Sequence, residues 1–453
     1  MNLESLVVNL PEDVEKYVYY GDFKRAEDII NIYLERNVGK TLKNRLLYEK
    51  EIIKRLKNNY IYPYDKAFDM AKKVIKDFDE KEFERMKDER YADWIYIDGK
   101  VTFHKNFLKT ILKTYPKIES RLYEKSEHDE AENLLENTVQ EIISKGEKSY
   151  FIHIKTGIKL KNNSSKIGEI IKIHIPIPKE AQQIKNIRII STSPDKKLIS
   201  PEDYPQRTVY FEEKVKGEDV FTVEYSYENH IKYRSLDYNK VSNVQPNFFT
   251  EEKLPHIAFT PYLVSLTEEV AGNETNSLKK ARKIYDYITK NIQYSFMRDY
   301  AAFTNIPEYA ALNLKGDCGV QALLFITMCR IAKIPARWQS GLYVTPFSIG
   351  SHDWAEFYIE PYGWIFADPS FGGGAHREGN ITMWNYYFGN LDPFRMVANS
   401  DFQYELLPQK KFIRDDPYDN QIGEAEYLDS GLYDDDFESI KEVIDVHEIY
   451  KVN

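Results

Sequence analysis

Three residues of the right types for thiol chemistry stand in order along the chain: Cys318, His352 and Asp368. A thiol becomes a nucleophile when a base takes its proton, and a carboxylate fixes the tautomer of that base and steadies its charged form. Cysteine, histidine and aspartate fill those roles in that order. The stretch NLKGDCGVQALLFITMCRIAKIPARW shows how the first is placed. Gly316 and Asp317 act as breaker and cap, an apolar-rich helix runs through Leu323, Leu324, Ile326 and Met328 to Ile331, and Lys333-Ile334-Pro335 ends it. Cys318 falls in the first turn, where unpaired N–H groups and the helix dipole favour a thiolate. Those N–H groups can also donate to an oxyanion forming beside the sulfur.

The other two residues lie in SHDWAEFYIEPYGWIFADPS, two β-rich runs joined by the turn sequence Glu360-Pro361-Tyr362-Gly363. His352 begins the first run and Asp368 closes the second, before Pro369, which keeps Asp368 extended. Side chains alternate along a strand, so His352, Trp354, Glu356 and Tyr358 share one face, as do Trp364, Phe366 and Asp368. A hairpin pairing would bring His352 and Asp368 together on one face, and the sequence leaves the register open. The other eight histidines show no such partner pattern. Cys329 lies deep in the predicted helix and reads as small core filler. It is 11 residues from Cys318, about 16 Å at helical rise, beyond the roughly 7 Å a disulfide tolerates.

Around this segment the chain of 453 residues has room for two to four domains, and an α+β, multidomain architecture is expected. Residues 1–148 read as a mostly helical accessory domain. Phe23, Ala26, Ile29, Ile30, Tyr33 and Leu34 mark one buried helical face, and Leu42 to Leu56 and Ala67 to Ile75 mark two more. Asp98-Gly99, between Trp94–Ile97 and Lys100–Phe103, suits a tight hairpin turn. Residues 149–250 alternate with period two and are expected to form a β-sandwich-like module. Residues 251–400 are expected to hold the catalytic core, with a further helical stretch at 267–290. Residues 401–453, with Asp415-Asp416 and Asp434-Asp435-Asp436, read as an acidic arm or tail. Gly372-Gly373-Gly374 reads as a flexible rim beside the site.

Net charge is −10 and basic residues are interleaved with acidic ones, which argues against nucleic acid as a partner. No window approaches the roughly 18 apolar residues of a membrane helix, and no leader is evident, so no membrane association and a cytoplasmic location are expected. Two cysteines cannot supply a four-thiolate zinc site, the acidic clusters lack the spacing of a calcium loop, and no phosphate-cradling loop is present. No metal and no cofactor are expected.

The blocks GDCGVQALLFITMCRIAKIPAR and HDWAEFYIEPYGWIFADPS resemble the core of the transglutaminase-like superfamily. The matching positions are Gly316-Asp317-Cys318, Ile334-Pro335-Ala336-Arg337, His352-Asp353-Trp354-Ala355-Glu356, Gly363-Trp364 and Asp368-Pro369-Ser370. Lys333 departs from the pattern, because the family usually has glycine there. The resemblance covers roughly residues 265–390. It implies a papain-like core with a Cys-His-Asp triad, the Cys helix packed on an antiparallel sheet. One oxyanion donor would be the Cys318 N–H and a second the Tyr294 side chain, with Trp338 and Trp354 lining an acyl cleft. The expected activity is that of a peptidase or amidase acting on a peptide or protein substrate. A protein-crosslinking transglutaminase is the alternative, and a non-catalytic binding scaffold the alternative of another class. The N-terminal helices could recruit a protein partner.

Overall fold

The computed structural model describes residues 3–123, 129–195, 197–217 and 219–450. It mixes helices with several sheets, and contacts divide it into two units: Met1–His128, Glu252–Thr260 and Asn291–Gln321 form one, and Asp129–Glu251, Pro261–Lys290 and Ala322–Asn453 the other.

The helices expected in the first unit are present as Phe23–Glu35, Lys40–Asn59 and Tyr64–Val74. Ala67, Ala71, Phe83, Met86, Phe103, Phe107 and Ile111 build an apolar core there. The expected hairpin pairs Trp94–Ile97 with Lys100–His104, and both turn residues, Asp98 and Gly99, have positive φ, 49° and 77°. That is the backbone a primed turn demands. The segment leading to Cys318 belongs to this same unit. Its Phe296 amide donates to Thr110 Oγ1 at 3.2 Å, its Asp299 amide to Asn59 Oδ1 at 2.7 Å, and Lys315 forms an ion pair with the buried Asp93.

In the second unit two antiparallel sheets face each other. One has the strand order Gly431–Leu432, Glu424–Tyr427, Ile170–Pro176, Thr208–Lys214, Leu198–Ile199, and the other Phe437–Glu448, Glu147–Leu160, Val220–Lys232, Ile184–Ser193. Phe211 and Phe221 meet between the two, ring centres 5.8 Å apart.

The acidic stretch after residue 400 departs from its expectation as an arm or tail. It supplies three strands to these sheets, and Phe437–Glu448 pairs along Glu147–Leu160. The reason is local neutralisation. Glu424 is buried against Lys410 Nζ at 2.7 Å, and Glu426 accepts the Lys411 and Phe412 amides, both at 3.0 Å through Oε2. Acidic side chains with such partners can enter a sheet.

A third antiparallel sheet has the order Phe388–Gly389, Gly363–Ala367, Ile349–Ile359, Ala336–Val344, Arg395–Asn399. The Cys318–Ile331 helix lies on it through Phe325, whose ring is 5.5 Å from that of Phe357. The C-terminal end of this helix is a Schellman turn: Ile334 N–H bonds to Cys329 O at 2.8 Å and Lys333 N–H to Arg330 O at 3.0 Å. Lys333 has φ of 62°, the conformation that glycine adopts without strain. The usual glycine at this position thus has a backbone cause.

Candidate active site

Cys318 opens its helix as expected and is half-buried, while Cys329 is fully buried in the same helix. The cap is Asp317, whose Oδ1 accepts the Val320 amide at 3.2 Å and also the Tyr300 hydroxyl. Burial pushes the Asp317 carboxyl up to about 6, against the pull of those hydrogen bonds. Gly316 is required by close approach, because a Cβ there would sit 2.4 Å from Val320 Cγ1 in the first turn. Gln293–Tyr294 pairs in parallel with Lys315–Gly316, setting Tyr294 opposite Gly316, two residues before Cys318. Lys113 Nζ stands 3.9 Å over the Tyr294 ring.

The register of the other pair of strands is fixed by Ala355 opposite Ala367. His352 and Asp368 then lie diagonally on one face, and the His352 Nε2 to Asp368 Oδ2 distance is 2.7 Å. Asp368 also caps the Pro369–Arg377 helix, accepting the Phe371 amide at 2.9 Å and the Ser370 hydroxyl at 3.1 Å through Oδ1. Both residues are buried, Asp368 completely. Burial alone would raise the Asp368 carboxyl, but His352 and the Arg395 guanidinium outweigh it and hold the group well below the usual carboxylate range. For His352, burial draws the imidazole down and Asp368 opposes this without reversing it. An ionised Asp368 only accepts, so Nε2 is the ring nitrogen that carries its proton toward the carboxylate.

Among the described residues, other histidines do meet a carboxylate, contrary to the sequence pattern, as His153 does with Glu224, His230 with Glu228 and His447 with Asp445. All three pairs are open to water to a degree that His352–Asp368 is not, with side chains 19–55% exposed against 6% and 0%. Only a desolvated pair keeps its Coulombic strength.

Trp354 stacks on the His352 ring, 5.9 Å between centres, and its Nε1 donates to Gln339 Oε1 at 2.8 Å. Trp338 does not join it. The pairing Trp338–Ala355 and Gln339–Trp354 puts Trp338 on the opposite face of the sheet, packed on Phe402, so it cannot line a cleft with His352. Alternation along the strand is the cause. Gly372-Gly373-Gly374 is likewise no loop. It lies inside the Pro369–Arg377 helix, and a Cβ on Gly372 would fall 1.7 Å from the Tyr285 hydroxyl. These glycines admit a close neighbour.

Sequence reasoning missed Arg395 and Asp392. Arg395 donates from Nη1 to Asp368 Oδ2 at 2.6 Å and from Nη2 to Asp392 Oδ2 at 2.8 Å, and both residues are fully buried. It also missed Gln421, which donates to the His352 carbonyl at 3.1 Å. No local signal marks these residues, since each is brought in by tertiary pairing. Among the described residues no helix is long and apolar enough to cross a membrane, and no cluster of His, Cys, Asp and Glu is arranged to hold a metal ion.

The family model described as the transglutaminase-like superfamily matches residues 264–369, which include Cys318, His352 and Asp368. Residues 264–369 are a transglutaminase-like domain. An uncharacterized protein from Haemophilus influenzae is 23% identical over 207 residues, 38% of this chain and 56% of that protein, so the match spans little more than half the relative's length. Among solved structures, a candidate cysteine protease from Cytophaga hutchinsonii is similar at 14% identity and a TM-score of 0.41, covering 67% of this chain and 90% of its own. The periplasmic domain of TgpA from Pseudomonas aeruginosa is similar at 11% identity and a TM-score of 0.28, covering 55% of this chain and 95% of its own.

Proposed function

We propose that the transglutaminase-like domain makes this chain a thiol enzyme that hydrolyses amide bonds in a peptide or protein substrate. The observation that carries the reading is the His352–Asp368 hydrogen bond of 2.7 Å, buried and backed by Arg395, in a domain whose half-buried cysteine opens a helix. Asp368 takes the Nε2–H, so Nδ1 of His352 is the atom that accepts the Cys318 proton. The sulfur then attacks the carbonyl carbon, and the carbonyl electron pair moves to oxygen. The Cys318 N–H and the Tyr294 hydroxyl are the proposed donors to that oxyanion. On collapse the C–N bond breaks, the imidazolium gives its proton to the leaving amine, and a thioester remains. Water, deprotonated by His352, attacks the thioester, releasing the acid and restoring the thiol.

One observation favours a second reading, transfer of the acyl group to an amine with protein crosslinking. His352 is only 5% exposed and its ring packs against Phe371 at 4.6 Å as well as Trp354, surroundings that disfavour water. Both cysteines are thiols, which suits the cytoplasm as the compartment.

The test is a peptide library offered with and without a labelled primary amine, read by mass spectrometry for new termini and for amine adducts. Cleavage that is lost in Cys318→Ala and in Asp368→Asn supports hydrolysis. Amine adducts without cleavage transfer the conclusion to the second reading. No turnover together with an unreactive Cys318 leaves a binding scaffold and contradicts both.

A further inference from the structure

The Asp368 carboxylate is used to capacity. Oδ1 accepts from the Phe371 amide and the Ser370 hydroxyl, and Oδ2 from His352 Nε2 at 2.7 Å and Arg395 Nη1 at 2.6 Å. An ionised carboxylate offers about four lone-pair sites, and here each has a donor. The oxygen that holds the imidazole is thus held itself, by a guanidinium 27 residues further along the chain.

Arg395 is fully buried and framed by four rings, those of Tyr343, Trp354, Phe371 and Tyr387, at 4.8 to 5.7 Å from its guanidinium carbon. Its far edge converges on one atom: Nε and Nη2 donate to Asp392 Oδ2 at 3.0 and 2.8 Å. Asp392 is fixed in turn by the Phe394 amide at 3.1 Å and the Tyr387 hydroxyl at 3.2 Å. A planar guanidinium donates from separate nitrogens in fixed directions, whereas the three donors of a lysine ammonium share one freely rotating nitrogen and cannot reproduce that span.

We propose that Arg395, aimed by Asp392, is a positioning residue that locks Asp368 in the orientation in which its Oδ2 receives the His352 imidazole. It acts through Asp368 and touches no reacting atom. Without it only the two Oδ1 donors set the rotation of Asp368, and Oδ2 loses the charged donor that aligns it with the imidazole. The charged groups acting on His352 within its unit are Asp368, Arg395 and Asp392. The link to catalysis rests on the roles proposed above for His352 and Asp368; the locking itself does not.

The experiment uses the full chain with ¹⁵N-labelled histidine and follows the His352 Nε2–H proton by NMR. A ring proton bonded to a buried carboxylate is shifted downfield and exchanges slowly. The wild type is expected to show it. Arg395→Gln is expected to lose it while keeping its circular dichroism and a cooperative melt. Arg395→Lys restores charge without the two-way fork and is expected to recover only a broadened signal. A folded Arg395→Gln with a wild-type resonance overturns the proposal. Should that variant not fold, Asp392→Asn decides: it leaves Arg395 in place with its aim loosened, and a wild-type resonance there overturns the proposal equally. Alkylation of Cys318 in the same variants separates the two conclusions. Resonance lost with alkylation unchanged supports the locking and counts against the proposed enzyme; resonance and alkylation lost together support both.

Discussion

Arg337 and Glu356 meet at 2.7 Å across neighbouring strands, with Glu356 wholly out of water and Arg337 stacked 4.0 Å over Trp364. Glu356 is also held by Gln182 Nε2 at 2.8 Å. Three of the positions that carry the family resemblance, Arg337, Glu356 and Trp364, thus form one contact. Removing Arg337 leaves a buried carboxylate with one neutral donor. Arg337→Ala is expected to lower stability by about 3 kcal/mol, the low end for a broken buried pair, and Arg337→Lys by less. Urea unfolding of the three proteins checks this, and equal midpoints would refute it.

Lys333 carries a left-handed backbone at the end of the Cys318 helix. A non-glycine residue there costs roughly 1–2 kcal/mol. Lys333→Gly is expected to raise the denaturation midpoint by the equivalent of about 1 kcal/mol, less what the lysine side chain contributes through its own contacts. A lower midpoint would mean that those contacts outweigh the backbone.

Gly372 faces the Tyr285 hydroxyl, which donates to the Trp384 carbonyl at 2.8 Å. Gly372→Ala must displace that ring and is expected to cost about 1–3 kcal/mol, as overpacking does. Adding Tyr285→Phe removes the closest atom and should recover part of the loss. The double-mutant cycle measures the coupling, and strict additivity would show that the two do not touch.

Asp317 sits just before Cys318 with its carboxyl raised from 3.8 to about 6. A raised acid binds its proton more tightly in the folded chain, so its contribution to stability is complete below about pH 4 and is lost as pH rises through about 6. Asparagine caps a helix equally well but does not titrate. The stability of wild type minus Asp317→Asn is therefore expected to fall between those pH values, as read by chemical denaturation. A flat difference would show that the carboxyl titrates normally.

Much of this was legible in the sequence where local rules decide. The Cys318 helix, its Asp317 cap, the Asp98-Gly99 turn and the face shared by His352 and Asp368 all follow from capping, turn chemistry and alternation. The register of the His352 and Asp368 strands was not legible, because pairing is a tertiary choice. Arg395 and Asp392 were hidden for the same reason: the Arg395–Asn399 strand reaches His352's sheet by pairing with Ala336–Val344. Trp338 lies away from His352 because the register sets its neighbour Gln339, not Trp338, on the face of Trp354. The acidic C-terminal stretch misled because composition counts charges but not their partners, and Lys410 neutralises Glu424 inside the fold.

The most direct measurement is the rate at which iodoacetamide alkylates Cys318 from about pH 4 to about pH 10, in the wild type and in His352→Ala, with the label located by peptide mass spectrometry. Fast labelling of Cys318 well below the ordinary thiol value of about 8.5, lost or moved upward in the variant while buried Cys329 stays unlabelled, is the predicted result. Slow labelling with an ordinary thiol profile that the His352 substitution leaves unchanged would contradict the thiol-enzyme reading.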